Sequence, residues 1–175
     1  MKSSPAFMPL NPGPFSTAIA AVGAAAGLLL LTGLAAPAAA QDYCPAWDNE
    51  PYNIIRYTSE DLWVEQNFTF TAGGSVDMFS CMDVPGAGYV ADRPDFALYY
   101  DAEDRGRTLR VKVTSSCDTT LLINDASGRW HFNDDDEGLN PGIRIANAQS
   151  GLYHVWMGTY GEQMCSGATI SFETF

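Results

Sequence analysis

Apolar and polar residues alternate in short runs along the C-terminal three quarters of this chain. Phe68 and Phe70 flank Thr69, and Phe96, Leu98 and Tyr100 recur at every second position. Leu109, Val111 and Val113 fall on one face, with Arg110 and Lys112 on the other. The same period holds for Ile143 and Ile145, for Tyr153, Val155 and Met157, and for Ala168, Ile170 and Phe172. A period of two with one polar face is the pattern of antiparallel strands packed on one side. Leu121-Leu122-Ile123 is a continuous apolar run, which predicts a central strand covered on both faces. Turn signals separate the runs: Ala72-Gly73-Gly74, Pro85-Gly86, Asp104-Arg105-Gly106, Asp125-Ala126-Ser127-Gly128, Asn140-Pro141-Gly142 and Ser150-Gly151. About eight short strands at this spacing predict an all-β fold, an antiparallel β-sandwich of jelly-roll type. The one helical signal is a turn or two around Ser59-Glu60-Asp61-Leu62-Trp63, with Ser59 as its cap.

The first 40 residues read differently. Lys2 is followed by an almost wholly apolar run from Ala18 to Leu34, then by Ala35-Ala36-Pro37-Ala38-Ala39-Ala40. A weakly basic start, an apolar centre and a small-residue site predict a secretory signal peptide over 1–40, cleaved after Ala40. The competing reading is an uncleaved anchor, since the run approaches the ~20 residues a membrane helix needs; its Ala/Gly richness and its ending favour cleavage. Residues 41–175 then form a single β-sandwich domain, large enough for one core. Without Lys2 that domain carries 8 basic against 21 acidic residues, and Lys112 is its only lysine. Such a surface repels nucleic acid and anionic lipid, and fits divalent cations or simple solubility outside the cell. The expected setting is secreted or periplasmic, and the expected partner an unidentified protein or polysaccharide.

The four cysteines are Cys44, Cys81, Cys117 and Cys165. An even count in an exported chain predicts two disulfides, for which three pairings exist. Cys44–Cys81 with Cys117–Cys165 is favoured, because it ties the N-terminal segment to its neighbour and the last strand to the central sheet. Zinc is disfavoured by the lack of a Cys-x-x-Cys spacing.

Carboxylates gather after the central run, in Asn133-Asp134-Asp135-Asp136-Glu137-Gly138. Like charges held together call either for a hard cation or for full solvation. The segment matches only the first half of an EF-hand loop, since position twelve is Arg144 where that loop needs Glu. A sandwich-type Ca²⁺ site would draw oxygens from several loops. Asp134 and Asp136 could converge with Asp118, Asn124 and Asp125 if Leu121–Ile123 and Trp130–Phe132 form a hairpin. Alternation places Asp134 and Asp136 on one side and Asp135 on the other. A second acidic group, Asp92, Asp95, Asp101, Glu103 and Asp104, is explained by turn chemistry.

From Cys117 to Gly161 the chain resembles the bacterial pre-peptidase C-terminal domain family. The resemblance lies in the Asp-led apolar strand Asp118 to Ile123, the turn Asp125 to Gly128, and the acid-ended strand Trp130 to Asp136. Gly151 to Met157 and Gly158-Thr159-Tyr160-Gly161 complete it. It implies a sandwich fold, Ca²⁺ as the ion to test, and a binding or folding-support role rather than catalysis. Two departures are the cysteines and the domain's standing as nearly the whole exported chain.

Catalytic motifs are sparse. The histidines are His131 and His154, both on alternating strands, and neither a G-x-S-x-G elbow nor a trypsin-like Gly-Asp-Ser-Gly stretch is present. The sequence therefore assigns no catalytic residue; a secreted serine-peptidase-like hydrolase, or an accessory subunit of one, is the alternative reading. Among the aromatics, Trp130 and Trp156 are the two to inspect for ligand stacking, because both alternate with expected core residues. The acidic loop generates one test. If it holds Ca²⁺, thermal unfolding of the mature protein shifts upward with Ca²⁺ but not with Mg²⁺, and EDTA reverses the shift.

Overall fold

The computed structural model describes residues 44–175. The signal peptide expected over 1–40 and its expected cleavage point lie outside them. The strands are β1 (Asn53–Thr58), β2 (Gln66–Ala72), β3 (Val76–Asp77), β4 (Tyr89–Val90), β5 (Phe96–Asp101) and β6 (Leu109–Thr114). They continue with β7 (Thr119–Asn124), β8 (Trp130–Asn133), β9 (Gly142–Ile145), β10 (Gly151–Thr159) and β11 (Cys165–Thr174). They form two sheets, one of seven strands and one of four. In the larger sheet β10 is central. One of its edges pairs with β7, and β7 pairs with β8. The other edge pairs with β5 through Gly151–Val155 and then with β4 at Thr159. The smaller sheet runs β2-β11-β6-β9.

The apolar faces foreseen from alternation meet between the sheets. Phe96, Leu98, Leu121, Ile123, Val155 and Met157 of the larger sheet pack against Val111, Val113, Ile170 and Phe172 of the smaller. Phe68, Phe96 and Phe172 lie with ring centroids 5.4–6.1 Å apart, in tilted and edge-on pairs. A second apolar layer covers the outer face of the larger sheet. Leu122 and Trp156 point outward from β7 and β10 into Val76, Met78, Val84 and Val90. This explains the unbroken Leu121-Leu122-Ile123 run, whose side chains alternate between two dry layers. The 76–90 segment lies so close that a Cβ on Gly158 would stand 2.2 Å from Thr120 Oγ1 and 2.8 Å from Tyr89 O.

Two expectations need correction. The sheet is not wholly antiparallel: β1, which has no clear alternation of its own, pairs in parallel with β5 from Asn53↔Phe96 to Thr58↔Asp101. The helical signal yields only a single 3-10 turn, Asp61–Trp63, and Ser59 does not cap it. Asp61 instead accepts from the Thr58 backbone N–H and hydroxyl, both at 2.9 Å. Ser59 is buried, and its carbonyl accepts from Thr174 Oγ1 at 2.7 Å and Arg107 at 2.9 Å.

Both disulfides are those favoured from the sequence, Cys44–Cys81 and Cys117–Cys165. The first fastens the N-terminal segment to the outer layer. The second joins the lead-in of β7 to the start of β11 and so links the two sheets. A Cys117→Ala/Cys165→Ala double variant should lose about 4 kcal/mol by the loop-entropy relation for a 48-residue separation. Denaturant unfolding of the oxidised variant and parent measures the difference.

Candidate functional site

The β7–β8 hairpin separates the carboxylates that the sequence grouped together. Its register pairs Asn124 with Trp130 and Leu121 with Asn133. Asn124 and Asp125 therefore lie at the turn end, while Asp118 and the 134–136 segment lie at the other, roughly 20 Å away at strand rise. Asp136 is drawn to the neighbouring sheet, where Arg144 Nη1 donates to it at 3.0 Å and holds its carboxyl below the usual range. Asp118 is pushed upward by burial and by the charges of Asp135 and Asp134. Asp134 and Asp135 are thus the neighbours of Asp118, rather than Asp134 with Asp136. Among the described residues, no three His, Cys, Asp or Glu side chains stand together closely enough to hold a metal ion.

Asp125 is the keystone of the hairpin turn. Its Oδ1 accepts from Ser127 N at 2.8 Å, Ser127 Oγ at 2.5 Å and Arg129 N at 3.0 Å. Its Oδ2 lies 2.7 Å from His131 Nε2. Burial alone would raise its pKa, but the hydrogen bonds from His131, Ser127 and Arg129 outweigh it and hold the carboxyl at about 2. Ser127 and His131 both bond to the aspartate, so the imidazole does not stand between serine and acid as an acyl-transfer triad requires.

On the outer face of the larger sheet, beside this turn, a cleft of about 430 Å³ is lined by Trp47, Asn124, Asp125, Leu152 and His154. Trp47, to which sequence reasoning assigned no role, is 55% exposed at its rim with its ring centroid 6.2 Å from that of His154. The Trp47 loop is fixed. Ala46 N and Asn49 Nδ2 both donate to the Asp92 carbonyl, at 3.1 and 3.0 Å, and Cys44 is bridged to Cys81. His154 is only 7% exposed, its Nδ1 has no hydrogen-bond partner among the described residues, and burial lowers its pKa. Asn124 is committed to the turn through its Nδ2 bond to Gly128 O at 3.1 Å. Trp156 lies fully buried beneath this face with half-buried Trp130 against it, ring centroids 5.4 Å apart. These two indoles fill the outer layer and offer no exposed stacking strip.

A second hollow of about 300 Å³ opens where β5 leaves β10. Val155 is the last β10 residue paired with β5, and β4 begins only at Thr159. In the gap, Met157 N donates to Asp95 Oδ2 at 2.7 Å, and Met157 O accepts from Gly73 N at 2.9 Å. Asp95 is 2% exposed, and burial pushes its carboxyl up to about 7, against the smaller lowering effect of the Met157 bond. The sequence placed Asp95 among turn acids. Its position directly ahead of the apolar run Phe96-Ala97-Leu98 was the available signal that it enters the sheet.

No family model and no curated protein sequence matches this chain. Several solved structures are similar to it, two of them as follows. One is the pre-peptidase C-terminal domain of collagenase from Bacillus anthracis, 11% identical with a TM-score of 0.41 over 73% of this chain and 100% of that one. The other is a periplasmic inhibitor of g-type lysozyme from Aeromonas hydrophila, 11% identical with a TM-score of 0.40 over 72% of this chain and 100% of that one. The first is a domain of the family named from the Cys117–Gly161 pattern. At this identity the likeness does not extend to function.

The two buried aspartates give opposite pH signatures. The folded pKa of Asp95 lies above its unfolded value, so ionising it costs stability as pH rises from about 4 through about 7. The folded pKa of Asp125 is depressed, so its contribution is present above about pH 4 and lost as pH falls towards 2. An Asp95→Asn variant, which keeps an acceptor for Met157 N, should gain on the parent between pH 5 and 8, by up to a few kcal/mol. Asp125→Asn should lose on the order of 2 kcal/mol at pH 7, and the loss should shrink towards pH 2. Urea unfolding of all three proteins across that range measures both trends.

Proposed function

We propose that this chain is an exported, non-catalytic binding module whose ligand lies in the outer-face cleft under Trp47. The observation that carries the reading is a large aromatic ring held exposed by a disulfide-anchored loop, above a hollow whose lining includes the nearly buried His154. Burial of so few polar groups around an exposed indole suits a ligand with flat apolar faces and a hydrogen-bonding edge, which is the chemistry of a sugar ring. A polysaccharide of the cell envelope or its surroundings is therefore the ligand proposed. Two disulfides and the acidic surface support a secreted or periplasmic setting.

Calcium enters this reading as a stabiliser at the far end of the β7–β8 hairpin, away from the cleft. The repulsion that Asp135 and Asp134 exert on Asp118 is what a cation would relieve, but the three do not stand close enough to hold one without rearrangement of the 133–140 segment. Closing that loop around an ion would also require further oxygens from the 133–140 segment.

Tryptophan fluorescence and chemical-shift titration against a panel of neutral and peptidoglycan-derived oligosaccharides test the cleft. Binding should shift the Trp47 and His154 signals. Trp47→Ala should weaken it by about tenfold or more without moving the unfolding midpoint, since the ring is exposed. Unchanged binding in Trp47→Ala, or saccharide-induced shifts confined to another face, would place the ligand elsewhere. Absence of any saccharide binding would remove the polysaccharide reading.

A further inference from the structure

The hollow beside Asp95 stands apart from the Trp47 cleft and does not depend on what that cleft binds. It opens at the gap between β5 and β4 and is lined by Tyr52, Phe70, Ala91, Asp92, Asp95 and Met164. Its walls are mostly apolar, with Thr71 and Ser75 among them. At its mouth is Asp92, and in its wall is a carboxyl group that is almost wholly buried. The described residues give Asp95 no basic partner. Arg93, two residues earlier in the chain, is engaged otherwise: its guanidinium lies 5.3 Å from the Tyr52 ring centroid and its Nε 3.8 Å from Asp92 Oδ1.

A carboxylate can accept about four hydrogen bonds, and Asp95 receives one side-chain bond, from Met157 N. A buried acid next to a solvent-connected apolar hollow is costly when ionised and unpaired. It becomes favourable when a cation with an apolar stem fills the space. An arginine fork would need two coplanar acceptors, whereas a compact ammonium needs only one end-on carboxylate oxygen. The strongly negative net charge of the chain favours a cationic partner at longer range as well.

The geometry points to this hollow as a subsite for a primary ammonium on an unbranched aliphatic stem, with Asp95 receiving the charge and Phe70, Met164 and Tyr52 enclosing the methylenes. A lysine side chain offered by a partner protein is the occupant that fits. No bond is made or broken; the interaction is an ion pair within an apolar sleeve.

Calorimetric titration at pH 8 with N-acetyl-lysine methylamide tests it, with N-acetyl-norleucine methylamide as the uncharged control of equal stem. Binding is expected for the lysyl compound, at least about tenfold tighter than for the norleucyl one, with the Met164 methyl resonance shifting on saturation. n-Butylamine should also bind, since it shares the charge and stem; tighter lysyl binding assigns the occupant to a polypeptide. Asp95→Asn should abolish the preference for the charged compound. Ala91→Phe, which fills the hollow and leaves Asp95 in place, should abolish binding altogether. Circular dichroism and the unfolding midpoint show that each variant is folded. Equal affinity for the lysyl and norleucyl compounds overturns the proposal. So does no binding of either, or full binding by a folded Asp95→Asn protein.

Discussion

Every backbone donor and acceptor of a buried strand needs a partner, and the structure depends on how β10 meets that demand. This strand runs between two dry layers, with Tyr153, Val155 and Met157 facing one and Trp156 the other. Along one edge β7 satisfies it from His154 to Thr159. Along the opposite edge the partner changes from β5 to β4, and the change leaves the polar groups of Met157 without a strand. A side-chain carboxylate and a glycine N–H fill that break. The sheet thereby stays continuous in hydrogen bonding although its neighbouring strand is not, and the acid that makes this so must lie inside the protein.

The two hollows follow from the same arrangement. Exchange of one strand for another opens space at the sheet margin, and the acid that heals the backbone lines that space. The cleft under Trp47 forms where the outer layer stops short of the hairpin turn. Leu122 and Trp156 are covered by the 76–90 segment, while His154, two residues earlier on the same face of β10, is covered only by the N-terminal loop. Position along one strand thus decides whether an outward residue becomes core or site floor.

Much of this was legible in the residues. Period-two alternation marked β2, β5, β6, β9, β10 and β11, and the unbroken apolar run marked β7 as covered twice. Even cysteine number and position gave the two bridges. What escaped were features fixed by tertiary partners. The β1 sequence Asn53-Ile54-Ile55-Arg56-Tyr57-Thr58 alternates weakly, because it is an edge strand whose parallel registry is set by β5. Alternation grouped Asp134 with Asp136, yet Arg144 on another sheet claims Asp136. Asp95 resembled its solvated neighbours Asp92 and Asp101, since nothing local reveals that β4 fails to continue β5. Trp130 and Trp156 seemed candidates for a stacking strip only because the second apolar layer, made by a segment with little regular structure, had no periodic signature.

The two disulfides join cysteines in their order along the chain, first with second and third with fourth, so the closed loops 44–81 and 117–165 do not overlap in the sequence. A polypeptide emerging N-terminus first into an oxidising space can therefore complete one crosslink before the next pair has appeared. Each new thiol meets its native mate as the nearest one still unpaired. Such a linear order removes the need to break wrong pairings later, and it leaves correct oxidation to the direction of emergence rather than to a shuffling catalyst.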